Sequence, residues 1–196
     1  MRYQITEAAE TLIKLCIEKK LTVATAESCT GGLVAGALTD VPGSSAVFDR
    51  GYVTYSNAAK QQMLGVTAAT LKRYGAVSRQ TAEAMASGAL TRSKVDLAVS
   101  ITGIAGPDGG TAEKPVGLVH FAVAGRDGSS MIAAKRFEGN RDEVRHQSVV
   151  QALRLLRDLV LGDEAVRPRW KPPQKPVRPV IEEIVIKPWP DKERKI

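Results

Sequence analysis

Apolar residues recur every three or four positions at the start of the chain. Ile5, Ala8, Ala9, Leu12, Ile13, Cys16 and Ile17 share one face, which predicts an amphipathic helix with Thr6 as its N-cap. The rhythm then alternates between types. Residues 21–26 read as a strand. Residues 33–41 read as a small-residue helix stopped by Pro42-Gly43. Residues 46–55 read as a strand carrying Phe48, Tyr52 and Val53. Short helices are predicted over 57–64 and 67–73, with Asn57 and Thr67 as caps, and a longer one over 78–92. Residues 95–101 are apolar nearly throughout, as a buried strand should be. A Gly/Pro-rich loop fills 102–115. Strands over 117–124 and 131–137 flank the turn Gly125-Arg126-Asp127-Gly128, a hairpin signal. Asn140 caps a last helix through residue 161, with Val144, Val149, Ala152, Leu153, Leu156 and Leu159 on its apolar face.

Helices alternating with strands, followed by a hairpin and a long helix, predict an α/β domain with helices on both faces of a mixed sheet. That domain is expected to span residues 1–162. Residues 163–196 hold most of the prolines and both tryptophans, and are expected to be an extended appendage. Within it, residues 180–186 are apolar enough to add an edge strand to this or another subunit. The net charge of +7 is partly a property of this tail, because residues 1–162 hold 19 Lys and Arg against 15 Asp and Glu. Only 5% of residues are aromatic, and no zinc-finger spacing occurs, so nucleic acid is a disfavoured partner. No apolar run reaches membrane-spanning length. Two cysteines, Cys16 and Cys29, are too few for a disulfide framework, and a reduced, cytoplasmic setting is expected. No His/Cys/Asp/Glu cluster has metal-ligand spacing, so no metal or other cofactor is expected.

Three polar loops, at 28–32, 55–60 and 102–110, follow predicted strands, and in an open α/β sheet such loops gather at one edge. Ser28 sits between strand and helix beside Gly31-Gly32, where a hydroxyl is either a nucleophile or a helix cap. A nucleophile needs a base. His120 is mid-strand and His146 is on the last helix, so Lys60 is the better candidate, because a partly desolvated lysine accepts a proton. Tyr55 is placed to relay that proton or to hydrogen-bond an oxyanion. Glu27 is read as orienting a base or binding a ribose hydroxyl, with a salt bridge as the competing reading. The 102–110 loop is neither a Walker loop nor a dinucleotide fingerprint. Its glycines at Gly103, Gly106, Gly109 and Gly110 admit close backbone approach to a ligand. Arg141 and Arg145 lie four apart on one helical face, the spacing of a phosphate clamp, with surface ion pairs to Asp142 and Glu143 as the alternative.

The ordered motifs Ala26-Glu27-Ser28-Cys29-Thr30-Gly31-Gly32, Gly51-Tyr52-Val53-Thr54-Tyr55-Ser56-Asn57 with Lys60, Gly75-Ala76-Val77-Ser78, and Ser100-Ile101-Thr102-Gly103-Ile104-Ala105-Gly106-Pro107-Asp108-Gly109-Gly110 resemble the CinA C-terminal domain family over residues 5–160. The resemblance implies a three-layer α/β/α sandwich that hydrolyses the carboxamide of nicotinamide mononucleotide to nicotinate mononucleotide and ammonia. It matches the family's catalytic serine, tyrosine and lysine to Ser28, Tyr55 and Lys60. It implies that the glycine-rich loops, with Arg141 or Arg145, hold the nucleotide; together with the residue-level reading this gives Glu27, Thr30, Gly31, Gly32, Asn57, Thr102, Gly103, Arg141 and Arg145 as the expected substrate-binding set. It also implies a homo-oligomer. Longer family members carry a pyrophosphatase-like domain ahead of this one, and no such activity is expected here. The same loops would serve a non-catalytic nucleotide-binding regulatory domain. A weaker alternative, drawing on the basic tail, is an accessory protein in DNA uptake or repair.

Overall fold

The computed structural model describes residues 2–162; the expected appendage over 163–196, including its candidate edge strand, lies outside them. Six helices and five strands follow the order α1 (Arg2–Lys19), β1 (Val23–Glu27), α2 (Leu33–Thr39), β2 (Phe48–Val53), α3 (Asn57–Leu64), α4 (Ala68–Tyr74), α5 (Arg79–Ser93), β3 (Leu97–Gly103), β4 (Leu118–Gly125), β5 (Ser130–Arg136) and α6 (Arg141–Leu161). The strands make one mixed sheet in the order β2-β1-β3-β4-β5. β1 pairs in parallel with both β2 and β3, and the β3–β4–β5 pairings are antiparallel.

The two faces of the sheet carry different side chains, and this sorts the helices. Val23, Val99, Ile101, Val119, Phe121 and Val123 point to one side, where α1, α2 and α6 close the larger core. Ala24, Ala26, Ala98, Ala122 and Ala124 point to the other, where α5 lies with α3 and α4. The result is a three-layer α/β/α sandwich. On the alanine side Ala24 pairs with Ala98, which pairs with Ala124. This low relief lets the equally small face of α5 (Ala82, Ala86, Ala89) lie close to the sheet, as dense packing requires.

Helix α3 makes a still closer approach to α5. A Cβ at Gly88 of α5 would lie 1.9 Å from the Leu64 carbonyl oxygen of α3. Both atoms belong to packed backbone, so neither yields. Gly88→Ala is expected to destabilise the fold by about 1–3 kcal/mol through overpacking, lowering Tm by about 2–12 °C in a thermal melt.

Local chemistry explains the remaining boundaries. Thr67, Ser78 and Asn140 cap α4, α5 and α6, and Asn140 forms a reciprocal capping box with Glu143. Two expected caps are corrected. Ser56, not Asn57, caps α3, its hydroxyl accepting from the Ala59 amide; Asn57 is the first helical residue. Thr6 lies inside α1 and donates to the Arg2 carbonyl, because the helix begins a turn before the first apolar position of its pattern. The chain runs from β1 to β2 on one side and then crosses over β1 to β3 on the other. The C-terminal ends of these three parallel strands therefore flank a topological switch point, where open α/β sheets form their crevices.

Candidate active site

Ser28 leaves the end of β1 with its amide donating to the Ile101 carbonyl of β3. The turn that follows closes through the Gly31 amide, which donates to the Ser28 carbonyl at 3.1 Å. Gly31 and Gly32 have φ of 63° and 98°, a left-handed pair that side-chain-bearing residues rarely adopt. This is why the chain can turn from strand to helix within a few residues and leave the Ser28 side chain at the sheet edge.

Lys60, one turn into α3, is 1% exposed. Its Nζ donates to Ser28 Oγ at 3.0 Å and to the Thr54 carbonyl at 2.7 Å. No carboxylate forms an ion pair with it among the described residues. Burial pushes the Lys60 amine below the usual lysine value, opposed by the adjacent Cys29. That opposition needs a thiolate, and burial pushes the Cys29 thiol up to about 12. Cys29 is therefore a neutral packing group beside the serine. The serine and the lysine sit in a hydrogen-bonded pair in which the neutral amine can take the hydroxyl proton.

Glu27 has a different role from the two considered above. Its carboxylate is fully buried. It accepts from the amides of Gly32, Val34 and Ala35 and from Thr25 Oγ1. It thus fills the N-terminus of α2 from within the chain, so the amides there face Glu27 and not a ligand anion. It neither lines the cavity nor makes a salt bridge among the described residues.

A cavity of about 270 Å³ opens over the Ser28–Lys60 pair. Its walls are Ser28, Cys29, Tyr55, Lys60, Ala76, Val77, residues 102–106, Asp108, Gly109 and Arg141. The three polar loops therefore meet, as the parallel strand order requires. Thr102 is held with its hydroxyl donating to the Ala76 carbonyl, which ties the glycine-rich loop to the segment before α5. Arg141 donates to the Gly106 carbonyl at 2.8 Å and to the Tyr55 hydroxyl at 2.9 Å. Tyr55 lies on the cavity wall, but its hydroxyl is joined to Arg141, not to Ser28 or Lys60.

The two arginines part company. Arg141 faces the cavity. Arg145 turns to the loop backbone, with Nε donating to the Cys29 carbonyl at 3.2 Å and Nη2 to the Thr30 carbonyl at 3.0 Å. Its other neighbour is Asp142, at 3.8 Å. Thr30 is fully buried, with a hydroxyl that has no partner among the described residues. Thr30, Gly31, Gly32 and Asn57 do not line the cavity. Two contributions escaped sequence reasoning. Asp108 stands in the wall, and its place in the glycine-rich loop was the available signal. The Thr54 carbonyl anchors Lys60, and no residue-type pattern announces a backbone acceptor.

The CinA C-terminal domain model matches residues 5–160. A nicotinamide-nucleotide amidohydrolase, PncC, of Enterobacter agglomerans is 57% identical over 139 residues, 70% of this chain and 85% of that protein. A putative competence-damage inducible protein of Caldicellulosiruptor bescii is 51% identical over 152 residues; the match covers 78% of this chain and 37% of that longer protein. The crystal structure of the competence/damage inducible protein CihA from Agrobacterium tumefaciens superposes with a TM-score of 0.79 at 55% identity, covering 80% of this chain and 95% of that one.

Proposed function

The chain belongs to the CinA C-terminal domain family, and from that premise we propose that it is an amidohydrolase converting nicotinamide mononucleotide to nicotinate mononucleotide and ammonia. Relatives named for that activity support the overall reaction. The observation that carries the mechanism is the 3.0 Å contact between Lys60 Nζ and Ser28 Oγ in a nearly closed environment. A purely binding domain has no need to bury a lysine against a serine, since burial of an unpaired amine is unfavourable.

In the proposed reaction, neutral Lys60 takes the Ser28 proton as Oγ bonds to the carboxamide carbon. The carbonyl π pair moves onto oxygen, giving a tetrahedral oxyanion. Lys60 then delivers its proton to the amide nitrogen, the C–N bond breaks and ammonia leaves an acyl-serine. Water attacks the ester with Lys60 again accepting a proton. Collapse returns that proton to Ser28 and releases the carboxylic acid, whose remaining proton passes to ammonia, giving carboxylate and ammonium. The Thr54 carbonyl keeps Nζ oriented through these transfers. Tyr55 holds Arg141, and Arg141 with the Gly103–Gly109 backbone receives the phosphate and ribose.

The test is ammonia release from nicotinamide, its riboside, its mononucleotide and its dinucleotide. Turnover should be best on the mononucleotide, and no release from any of them overturns the reading. Arg141→Ala is expected to raise KM for the mononucleotide by about tenfold or more, as loss of a charge-assisted contact implies. KM for the riboside should hold, because it has no phosphate to lose.

A further inference from the structure

We propose that residues 180–186, Val-Ile-Glu-Glu-Ile-Val-Ile, add a sixth strand to the sheet, antiparallel to β5 of the same chain. β5 is a terminal strand among the described residues, and the ladder shows which of its groups are unused. The Gly125 amide donates to the Ser129 carbonyl and the Phe137 amide to the Gly117 carbonyl. Bonded and non-bonded pairs alternate along an antiparallel ladder. In the observed register Met131, Ala133 and Lys135 therefore bond to β4. The N–H and C=O of Ile132, Ala134 and Arg136 point the other way, along an edge with no strand beside it among the described residues. That edge is apolar over 131–134 and basic at Lys135-Arg136. An open edge of this kind is a template for another strand. Beside it, on the alanine side of the sheet, runs a shallow groove whose lining includes Ala86, Ala122, Ala124 and Ile132.

Charge and residue order select the segment and its direction. In the antiparallel register that sets Ile184 opposite Ala134, Glu182 faces Arg136, Glu183 faces Lys135, Val185 faces Ala133 and Ile186 faces Ile132. Each acid meets a base and each apolar residue an apolar one, the pairings that favour strand association. Ile184 and Ile186 then fall on the face of Ile132, which packs against the alanine-side core. A parallel register that keeps the two charge pairs leaves residues 184–186 beyond the end of β5. At the opposite edge, β2 offers a single cation, Arg50, between Asp49 and Gly51, so no register there sets both glutamates against bases. Pro179 and Pro188 bound the segment, as prolines bound a strand.

The connection is long enough. α6 starts at the crevice with Arg141, and its 21 residues carry the chain about 31 Å back across the sheet. β5 runs toward the crevice, as β3 does, so an antiparallel partner enters from the crevice end. The 17 residues between Gly162 and Val180, five of them proline, span about 53 Å as a polyproline helix. The seven residues of β5 span about 24 Å. Such a tether holds the segment at roughly millimolar effective concentration, which favours its own edge over a second copy's in dilute solution.

Residue-resolved amide hydrogen exchange on the full chain tests the pairing. The Ile132, Ala134 and Arg136 amides should exchange about tenfold or more slower in the wild type than in Ile184→Pro, which removes the N–H that donates to the Ala134 carbonyl. Met131, Ala133 and Lys135 should be equally protected in both, which shows that the domain itself is intact. Val185→Pro should keep the wild-type protection, because that N–H faces outward on an edge strand. Glu182→Lys with Glu183→Lys should lower the protection, and adding Lys135→Glu with Arg136→Glu should restore it. Protection absent from the wild type, unaffected by Ile184→Pro, lost as fully in Val185→Pro, or not recovered on exchanging the charges overturns the proposal. So does protection that rises with protein concentration, which would put a second copy's segment on the edge.

Discussion

Ser28→Ala is expected to reduce ammonia release from nicotinamide mononucleotide by about 10⁴- to 10⁶-fold, the scale seen when a serine nucleophile is removed from a working constellation. Affinity for the product nucleotide should stay close to that of the wild type, because the substitution removes one oxygen from a side chain that is 9% exposed. Stability should change little. The Ser28 backbone bonds to Ile101 and Gly31 do not involve the hydroxyl, and its partner Lys60 keeps the Thr54 carbonyl. Measuring kcat by ammonia release and product affinity by calorimetry separates loss of chemistry from loss of the site. Turnover within tenfold of the wild type would remove Ser28 from the mechanism.

Lys60→Met should lower kcat by about 10²- to 10⁴-fold, the usual contribution of a positioned general base, and should also change two pH profiles. On the proposed mechanism the reactive form is the neutral amine, so kcat/KM should rise with pH through the lowered Lys60 value and then level off. The variant's residual rate should lack that limb. Stability should follow the same group. The folded pKa lies below the unfolded one, so between the two values the unfolded chain binds more protons and stability increases with pH. The disadvantage of burying the amine is fully present below the folded value and disappears as pH rises to the ordinary lysine value. Thermal melts of wild type minus Lys60→Met should show the wild type gaining ground from neutral to alkaline pH. A flat difference would mean that Lys60 is not held neutral by burial.

The sequence disclosed the layers and the convergence of the three loops, because both follow from hydrophobic period and strand order. The 3.6-residue rhythm of α6 and the unbroken apolar run of β3 leave few alternatives. The caps were legible where a serine, threonine or asparagine stood alone before a helix, as at Thr67 and Asn140. They were misread at Ser56-Asn57, where two capable residues are adjacent and only the backbone turn selects one. The site was legible in its residue types and less so in their connections. Arg141 and Arg145 share a helical face, yet packing of α6 against the Ser28 loop gives one the cavity and the other the loop carbonyls. Glu27 has the chemistry of a ligand-binding carboxylate, and only the fold shows the amides of Gly32, Val34 and Ala35 already occupying it. Such pairings depend on which backbone groups are left over after folding, and no residue pattern encodes that remainder.

The contact at Gly88 has a consequence for Lys60, the proposed base. Leu64 and Lys60 are one turn apart on α3, so the seat of Leu64 on α5 also sets the depth of the amine. That seat is set by main chain against main chain at Gly88 and Leu64. Lys60 stays below its ordinary value only while water is kept out. Any motion that lifts α3 from α5 hydrates the amine and raises it back toward the ordinary lysine value, which on the proposed mechanism leaves less of it able to accept the Ser28 proton. The spacing between two helices thus acts as a seal, and the share of neutral amine available to the proposed reaction depends on how tightly that seal is held.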